Sequence, residues 1–506
     1  MASTTRTTSP VPFRSTGEIP GRPAAPVPSI GDTVTGRIPL QRPAPAVPGD
    51  RFRPSAFAGE AVPFRVTAFR EGHDAIGVHL RLTAPDGRES LHRLTPLNDG
   101  FDRWSVLIAP LTEGVWRFRF EAFGDDFATW QHAAAIKIAA GVDVDLMREA
   151  GAQLMSRAAA EKSRPAAERK LLEKAASRLR DAAADAVDAL TVVRDAEIAR
   201  VFADRPLQSL VTVGDEHELL VERERAGVGA WYEFFPRSEG AERLADGSVR
   251  SGSFVTARDR LPAVAAMGFD VLYLPPIHPI GRTHRKGPNN TLTAGPNDPG
   301  SPWAIGGPEG GHDTVHPDLG TLDDFRGFVA AASDAGLEVA LDLALQASPD
   351  HPWVSEHPEW FTTLPDGSIA YAENPPKKYQ DIYPINFDND PDGIRAEVLR
   401  VVRHWIAQGV RIFRVDNPHT KPLQFWEWLI ATVADETPGV VFLAEAFTRP
   451  APMQGLAMAG FQQSYSYFTW RNTKEELEEF LTSVAHDTAD FMRPNLFVNT
   501  PDILTE

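Results

Sequence analysis

Three patterns of apolar and polar residues follow one another along the chain, and each predicts a different kind of structure. From residue 50 to residue 141, short runs such as VPFRV at 62–66 alternate apolar and polar side chains between turn sequences. This period of two predicts antiparallel strands, and we expect a β-sandwich. Residues 142–206 carry Leu and Ala at helical spacing, which predicts an insertion of two or three amphipathic helices. Residues 207–227 contain one more apolar run, which we interpret as a return strand and linker.

Strands and helices alternate from residue 228 to residue 506. Candidate strands lie at residues 230–235, 271–274, 338–343, 410–416, 440–445, 463–468 and 495–499. A helix is expected at 322–335, where Thr321 can cap the first turn together with Asp324. Repeated β–α units form either a doubly wound sheet or a (β/α)8 barrel. No Gly-rich dinucleotide or P-loop sequence follows an early strand, which favours the barrel.

The predicted fold class is therefore multidomain α/β, with a (β/α)8 TIM barrel that follows a β-sandwich with a helical insertion. Seven strands are predicted before Glu506, so we expect the barrel in this chain to be truncated after strand 7. Residues 1–49 are rich in proline and poor in large apolar side chains. We expect them to form a disordered tail, because they cannot bury enough apolar surface to offset the entropy of ordering.

Composition excludes several classes of function. The chain has 69 acidic and 51 basic residues and a formal net charge of −18, whereas proteins that bind nucleic-acid phosphates carry a basic face. It has no cysteine, which excludes disulfides, cysteine nucleophiles and thiolate zinc sites. The sequence shows neither a signal-peptide pattern nor an apolar run of membrane-spanning length. We therefore expect a cytoplasmic protein that binds neither nucleic acid nor membranes.

Four acidic residues stand at or just after the ends of predicted strands. Asp342, Asp416 and Glu445 each close an apolar run, and Asp502 follows one by a short turn. Barrel active sites lie at this end of the strands, and retaining glycosidic cleavage uses two carboxyl groups about 5–5.5 Å apart. Arg414 lies two residues before Asp416 and so on the same face, where its guanidinium would keep a nucleophilic carboxylate ionised. The alternative for this pair is a buried ion pair with a structural role.

At these positions the sequence resembles the α-amylase superfamily of glycoside hydrolases. Asp342, the run RVD at 414–416, Glu445 and Asp502 match its four short sequence blocks in order. The resemblance implies that Asp416 is the nucleophile, Glu445 the general acid and base, and Asp502 the transition-state stabiliser.

Departures from the amylase pattern indicate one particular family within the superfamily. Gln346 and Ala347 stand where amylases usually have Asn-His, and NTPD at 499–502 replaces Asn-His-Asp. With DNPHTKP at 416–422 and RKG at 285–287, these blocks resemble the α-1,4-glucan:maltose-1-phosphate maltosyltransferases. Because the missing Asn is a calcium ligand in many amylases, we expect no metal, and we also expect no cofactor.

This resemblance implies a glycosyltransferase that moves maltosyl from maltose 1-phosphate to the non-reducing end of an α-1,4-glucan, with release of phosphate and retention of configuration. It also implies a homodimer, and an eighth strand and a C-terminal β domain beyond Glu506. The ammonium of Lys286 suits a phosphate leaving group. The residues assigned to substrate binding are Lys286, Gln346, Asp381, Asn417, Arg414, Asp342, Asn374 and Tyr379. The alternatives are an α-glucan hydrolase or trehalose-forming relative of the same superfamily, and a non-catalytic glucan-binding fragment.

Overall fold

The computed structural model describes residues 35–49, 51–181, 183 and 185–500. Its N-terminal part contains two sheets that share one apolar core. The strands of these sheets are β1 (Leu40–Ala44), β2 (Ser55–Phe57), β3 (Val62–Ala68), β4 (Ile76–Thr83), β5 (Glu89–Arg93), β6 (Thr95–Pro96), β7 (Arg103–Ile108), β8 (Gly114–Asp125), β9 (Gln208–Val213) and β10 (His217–Glu222). The first sheet has the order β1-β3-β7-β6, and the second has the order β2-β10-β8-β4-β5, with β9 also paired to β8.

Alternation of side chains builds the core between the two sheets. In β3, every second residue from Val62 to Ala68 is buried, and the residues between them are partly exposed. The ring of Phe64 meets that of Phe118, on β8 of the second sheet, edge to face at 5.1 Å. The period of two read from the sequence therefore places one face of each strand in the core.

The prediction of a tail as far as residue 49 is wrong for its last part. β1 pairs with β3, with Leu40 opposite Ala68, and Ile38 is completely buried. The prolines around these residues are tolerated because β1 is at the edge of its sheet. Residues 1–34 lie outside the described part of the chain.

The helical insertion begins earlier and has more helices than the sequence predicted. Between β8 and β9 the structure places α1 (Asp126–Ala139), α2 (Val144–Ala159), α3 (Ala166–Arg180), α4 (Ala186–Val193) and α5 (Ala196–Asp204). The Asp125 carboxylate accepts the amide of Ala128 and so caps α1. Phe127, Trp130 and Ala134 bury one face of α1 against the other helices. The period-two pattern did not predict this boundary, because α1 begins at the residue directly after the end of β8.

The C-terminal part alternates strands and helices. Its elements are β11 (Trp231–Glu233), β12 (Glu242–Arg243), β13 (Val249–Arg250), α6 (Phe254–Ala257), α7 (Leu261–Ala266), β14 (Val271–Leu274), α8 (Leu322–Asp334), β15 (Glu338–Leu343), β16 (Gln346–Ala347), α9 (Pro352–Glu356), β17 (Ala372–Asn374), β18 (Lys377–Tyr379), β19 (Tyr383–Pro384), α10 (Pro391–Ala407), β20 (Ile412–Val415), α11 (Leu423–Glu436), β21 (Val441–Ala444), α12 (Pro450–Met458), β22 (Gln463–Tyr465), α13 (Lys474–His486) and β23 (Pro494–Asn495). At α8, Thr321 and Asp324 form the capping box that the sequence predicted.

Seven of these strands form one parallel sheet, in the order β11-β14-β15-β20-β21-β22-β23. Each of the seven strands predicted from the sequence overlaps one of them. The spatial order follows the chain order without a reversal, as in a partial barrel and unlike a doubly wound sheet. Every residue of β14, β20 and β21 is buried, because helices and side chains cover both faces of the sheet. The carboxyl ends of the strands therefore meet at one edge.

Polar contacts join the two-sheet part to the parallel sheet. The side-chain amide of Gln462, before β22, donates to the Glu222 carboxylate at the end of β10, over 2.9 Å. Burial raises the pKa of Glu222. The guanidinium of Arg493, before β23, donates to the Ser55 carbonyl over 2.7 Å. No helix in the described part of the chain is both long enough and apolar enough to cross a bilayer.

Candidate active site

One guanidinium holds three carboxyl groups at the carboxyl edge of the parallel sheet. Arg414 Nη1 lies 2.8 Å from Asp342 Oδ2 and 3.0 Å from Asp416 Oδ1, and its Nη2 lies 2.7 Å from Glu445 Oε1. All four side chains are at most 13% exposed. We call these four residues the arginine cluster.

Strand register brings the members of this cluster together. Asp342 on β15 pairs directly with Arg414 on β20. Asp416 follows β20 and Glu445 follows β21, and the last pair between these two strands is Val415 with Ala444. Neighbouring strands lie about 4.8 Å apart, so the two carboxyl groups project from adjacent positions. The two carboxyl groups are close enough for a side-chain hydrogen bond between them.

Two tyrosines enclose the Arg414 side chain. The Arg414 guanidinium carbon lies 5.6 Å from the ring centre of Tyr273 on β14 and 5.8 Å from that of Tyr465 on β22. The Tyr273 hydroxyl also donates to Asp342 over 2.5 Å. Neither tyrosine is predicted as a site residue from the sequence, because an aromatic residue in an apolar run such as VLYL is typical of any buried strand.

Burial and charge move the pKa values of the two central carboxyl groups in opposite directions. Burial raises the pKa of Glu445 to about 8 against the opposing effect of Arg414, and the charges of Asp416 and Asp342 add to the rise. Burial acts on Asp416 too, but Arg414 and Lys421 outweigh it and lower the pKa of that carboxyl. At neutral pH the pair therefore holds one carboxylate and one protonated acid, the division of roles that acid-assisted nucleophilic substitution requires.

The third carboxyl group belongs to Asp342, the most deeply buried of the three. Its side chain has no exposed surface. Burial raises the pKa of Asp342 to about 7, while Arg414 and the Tyr273 hydroxyl oppose the rise. Asp342 thus fixes Arg414 and Tyr273 relative to each other.

Asp416 leads into a tight turn that the structure alone reveals. Asn417 has the left-handed backbone conformation, with φ 43° and ψ 53°. The Lys421 ammonium donates to the carbonyls of Asp416 and Asn417, each over 3.3 Å. The sequence motif contained Lys421, but nothing in it indicated this contact.

A second group of predicted residues surrounds Lys286. The Lys286 ammonium is 6% exposed, donates to Gln380 Oε1 over 3.2 Å and lies 3.9 Å from Asp381 Oδ1. Burial raises the pKa of Asp381. The side-chain amide of Gln346 donates to the carbonyl of Trp303 over 3.3 Å. Lys286 and Asp381 are therefore brought together as a buried pair.

Asn374 and Tyr379 lie on the β17–β18 hairpin, which ends beside this pair. Asn374 is exposed and Tyr379 is half-buried. Tyr379 precedes Gln380, the hydrogen-bond partner of Lys286. Asp502 lies outside the described residues. Within the described part of the chain, no three His, Asp or Glu side chains are grouped to hold a metal ion, and the expected absence of a metal stays a prediction.

A cavity of about 800 Å³ opens next to the cluster, between β11 and the segment that follows β23. It is lined by Tyr273 and Tyr465, which enclose Arg414, by β11 and by residues 494–500. None of the three carboxyl groups of the arginine cluster is among the residues that line it.

Residues 36–223 match the family described as alpha-1,4-glucan:maltose-1-phosphate maltosyltransferase, domain N/S. The chain is 57% identical over 475 residues to alpha-1,4-glucan:maltose-1-phosphate maltosyltransferase 1 of Streptomyces coelicolor, covering 93% of this chain and 69% of the relative. It is 51% identical over 505 residues to the enzyme of that name from Mycolicibacterium smegmatis, covering 94% and 71%. A maltogenic amylase structure from S. marinus is 11% identical, with a TM-score of 0.45 over 88% of this chain and 60% of that one. With more than half of its residues identical to a relative whose length it largely spans, the chain belongs to the α-1,4-glucan:maltose-1-phosphate maltosyltransferase family.

Proposed function

We propose that this protein transfers maltosyl from maltose 1-phosphate to the non-reducing end of an α-1,4-glucan, with release of phosphate and retention of configuration. The observation that carries the proposal is the arginine cluster, in which one guanidinium bonds three carboxyl groups at neighbouring strand ends. The relatives that match 93–94% of the chain bear the name of this activity, and an α-glucan hydrolase is therefore not favoured.

In the first step, the Asp416 carboxylate attacks the anomeric carbon of the donor. The bond from that carbon to the phosphate oxygen breaks, and Glu445 delivers its proton to the departing phosphate. Each residue is in the ionisation state that its role needs, since the pKa of Asp416 is lowered and that of Glu445 is raised. The product is a maltosyl ester on Asp416.

In the second step, Glu445 is a carboxylate and accepts the proton of the glucan 4-hydroxyl. That oxygen attacks the anomeric carbon and displaces Asp416, so two inversions give net retention. Arg414 Nη2, 2.7 Å from Glu445 Oε1, stabilises the negative charge that Glu445 carries between the two steps. Asp502 is proposed as the transition-state stabiliser by the resemblance.

The Lys286 group is proposed as part of the donor site. Its ammonium is held by Gln380 and lies near Asp381, so a phosphate would compete with a single carboxylate for it. We propose that Asn374 and Tyr379, on the adjoining hairpin, also donate hydrogen bonds to the phosphate. Gln346, Asn417 and Asp381 are assigned to the bound donor on the same resemblance.

The proposal also includes the complete fold, the oligomeric state and the location of the protein. A sheet of parallel strands in chain order supports a (β/α)8 barrel. A homodimer is proposed from the family resemblance, and a cytoplasmic location is proposed from the composition, since a chain without cysteine fits a reducing compartment.

The test uses the full-length protein with maltose 1-phosphate and glycogen, and phosphate release is the readout. Asp416→Ala should abolish turnover. Glu445→Ala, given maltosyl fluoride, should accumulate the maltosyl ester on Asp416, because fluoride leaves with little acid assistance whereas the second step lacks its base. Intact-mass spectrometry with peptide mapping locates the adduct.

Glu436→Ala is the matched control, since Glu436 is a half-exposed carboxylate that pairs with Arg403 on the outer helices. It should keep wild-type turnover and form no lasting adduct. An adduct on another residue, an inverted product, or no phosphate release by the wild type would contradict the proposal.

A further inference from the structure

The Lys421 side chain reaches back across the turn that carries Asp416. Its ammonium donates to the carbonyls of Asp416 and Asn417 over 3.3 Å each. In an extended strand, consecutive carbonyls point in opposite directions. The left-handed conformation of Asn417 turns these two carbonyls so that one ammonium can reach both.

The other hydrogen bonds of the turn are made to the carbonyls of Asn417 and Pro418 and not to that of Asp416. The amide and hydroxyl of Thr420 both donate to the Asn417 carbonyl, over 3.1 and 2.7 Å. The indole of Trp426 donates to the Pro418 carbonyl over 2.9 Å. Among the hydrogen bonds of the described residues, the Lys421 contact is the side-chain bond that reaches the Asp416 carbonyl. A left-handed conformation is uncommon for a residue with a side chain, although Asn adopts it more often than most. We therefore expect these hydrogen bonds to stabilise the turn at Asn417.

The positive charge of Lys421 also acts on the Asp416 carboxylate. Its two hydrogen-bond partners are neutral carbonyls, which leaves the positive charge to act on the carboxylates of the arginine cluster. Burial lowers the pKa of Lys421, and the charges of Asp416 and Glu445 oppose this effect. In return, Lys421 helps Arg414 to lower the pKa of Asp416.

We infer that Lys421 is a positioning residue for the transfer reaction, which clamps the Asp416–Asn417 turn through both carbonyls and so orients the nucleophile and the donor-site Asn417. This inference rests on the proposed function, which assigns Asp416 as the nucleophile. It adds a role to a residue that neither contacts the reacting atoms nor belongs to the predicted site.

The test compares Lys421→Met, which keeps the length of the side chain and removes its charge, with Lys421→Arg, which keeps the charge and the ability to donate. Lys174→Met on α3, an exposed position, is the matched control. The readout is kcat/KM against pH with maltosyl fluoride, a donor without a phosphate that titrates. The titratable and charged groups that face Asp416 or Arg414 are Asp342, Glu445, His419, Lys421, Tyr273 and Tyr465.

Lys421→Met should move the acidic limb of the profile upward by about one pH unit, a tenfold change in the ionisation ratio of the nucleophile. Lys421→Arg should restore the limb, and Lys174→Met should not move it. A limb at the wild-type position in Lys421→Met, or Lys421→Arg as impaired as Lys421→Met, would overturn the inference. If Lys421→Met does not fold, the Lys421→Arg comparison still decides.

A crystal structure of a Lys421 variant gives a second readout that is independent of turnover. Asn417 should leave the left-handed region in Lys421→Met and stay there in Lys421→Arg. An unchanged turn in Lys421→Met refutes the clamp. If the wild type uses neither maltose 1-phosphate nor maltosyl fluoride, the proposed function fails, whereas the backbone of the variant still tests the clamp.

Discussion

Raising the pH should inactivate the enzyme through Glu445. Burial and the two neighbouring carboxylates raise the pKa of this residue to about 8, so it is protonated at neutral pH and loses its proton just above it. Between pH 7 and pH 9 the protonated fraction falls from about nine-tenths to about one-tenth, and kcat/KM for the donor should fall about tenfold. Asp416 stays ionised over this range because its pKa is below the usual value.

The assay is phosphate release with limiting maltose 1-phosphate and saturating glycogen, from pH 7 to pH 10. The second pKa of a phosphate monoester is about 6, so the donor stays a dianion and the alkaline limb belongs to the enzyme. A thermal scan at each pH shows that the protein is folded where the rates are measured.

Asp342→Asn identifies the group that titrates. The charge of Asp342 raises the pKa of Glu445, and its removal also leaves more of the Arg414 charge to act on Glu445. The alkaline limb should therefore move to lower pH on the activity that remains. Asp334→Asn, an exposed position at the end of α8, should leave it in place. No limb below pH 10, or a limb that stays or rises in Asp342→Asn, would refute the assignment of Glu445 as the acid.

Two further predictions concern other parts of the molecule. Lys286→Ala should lower kcat/KM with maltose 1-phosphate about ten- to a hundredfold, from the loss of about 1.5–3 kcal/mol of charge-assisted binding, and should affect maltosyl fluoride far less. Equal losses with both donors would make Lys286 structural. Glu222 has a raised pKa, so its contribution to stability is present below the unfolded-state pKa and is lost as the pH rises through the folded-state value. Glu222→Gln should therefore raise Tm relative to the wild type increasingly from pH 5 to pH 8, and a difference in Tm that does not vary with pH would contradict this.

Features that depend on local pattern could be predicted from the sequence. The seven parallel strands and the capping box of α8 follow from hydrophobic period and from residues three positions apart. The positions of Asp342, Asp416 and Glu445 at strand ends could be predicted in the same way, because each of them closes an apolar run. The tail and the helical insertion were bounded wrongly, because β1 forms only by pairing with a strand more than twenty residues away and α1 continues directly from β8.

The interactions among these residues depend on contacts between distant parts of the chain. Arg414 meets Asp342 across 72 residues of sequence, and Tyr273 meets the same carboxylate across 69. Their distances and their burial set the opposite pKa shifts of Asp416 and Glu445, and neither quantity is encoded near those residues in the chain. The Lys421 contact depends on the left-handed turn at Asn417, which is not a property of spacing. A carboxyl group acquires its role from the charges and the solvent around it, and the folded chain is what places them there.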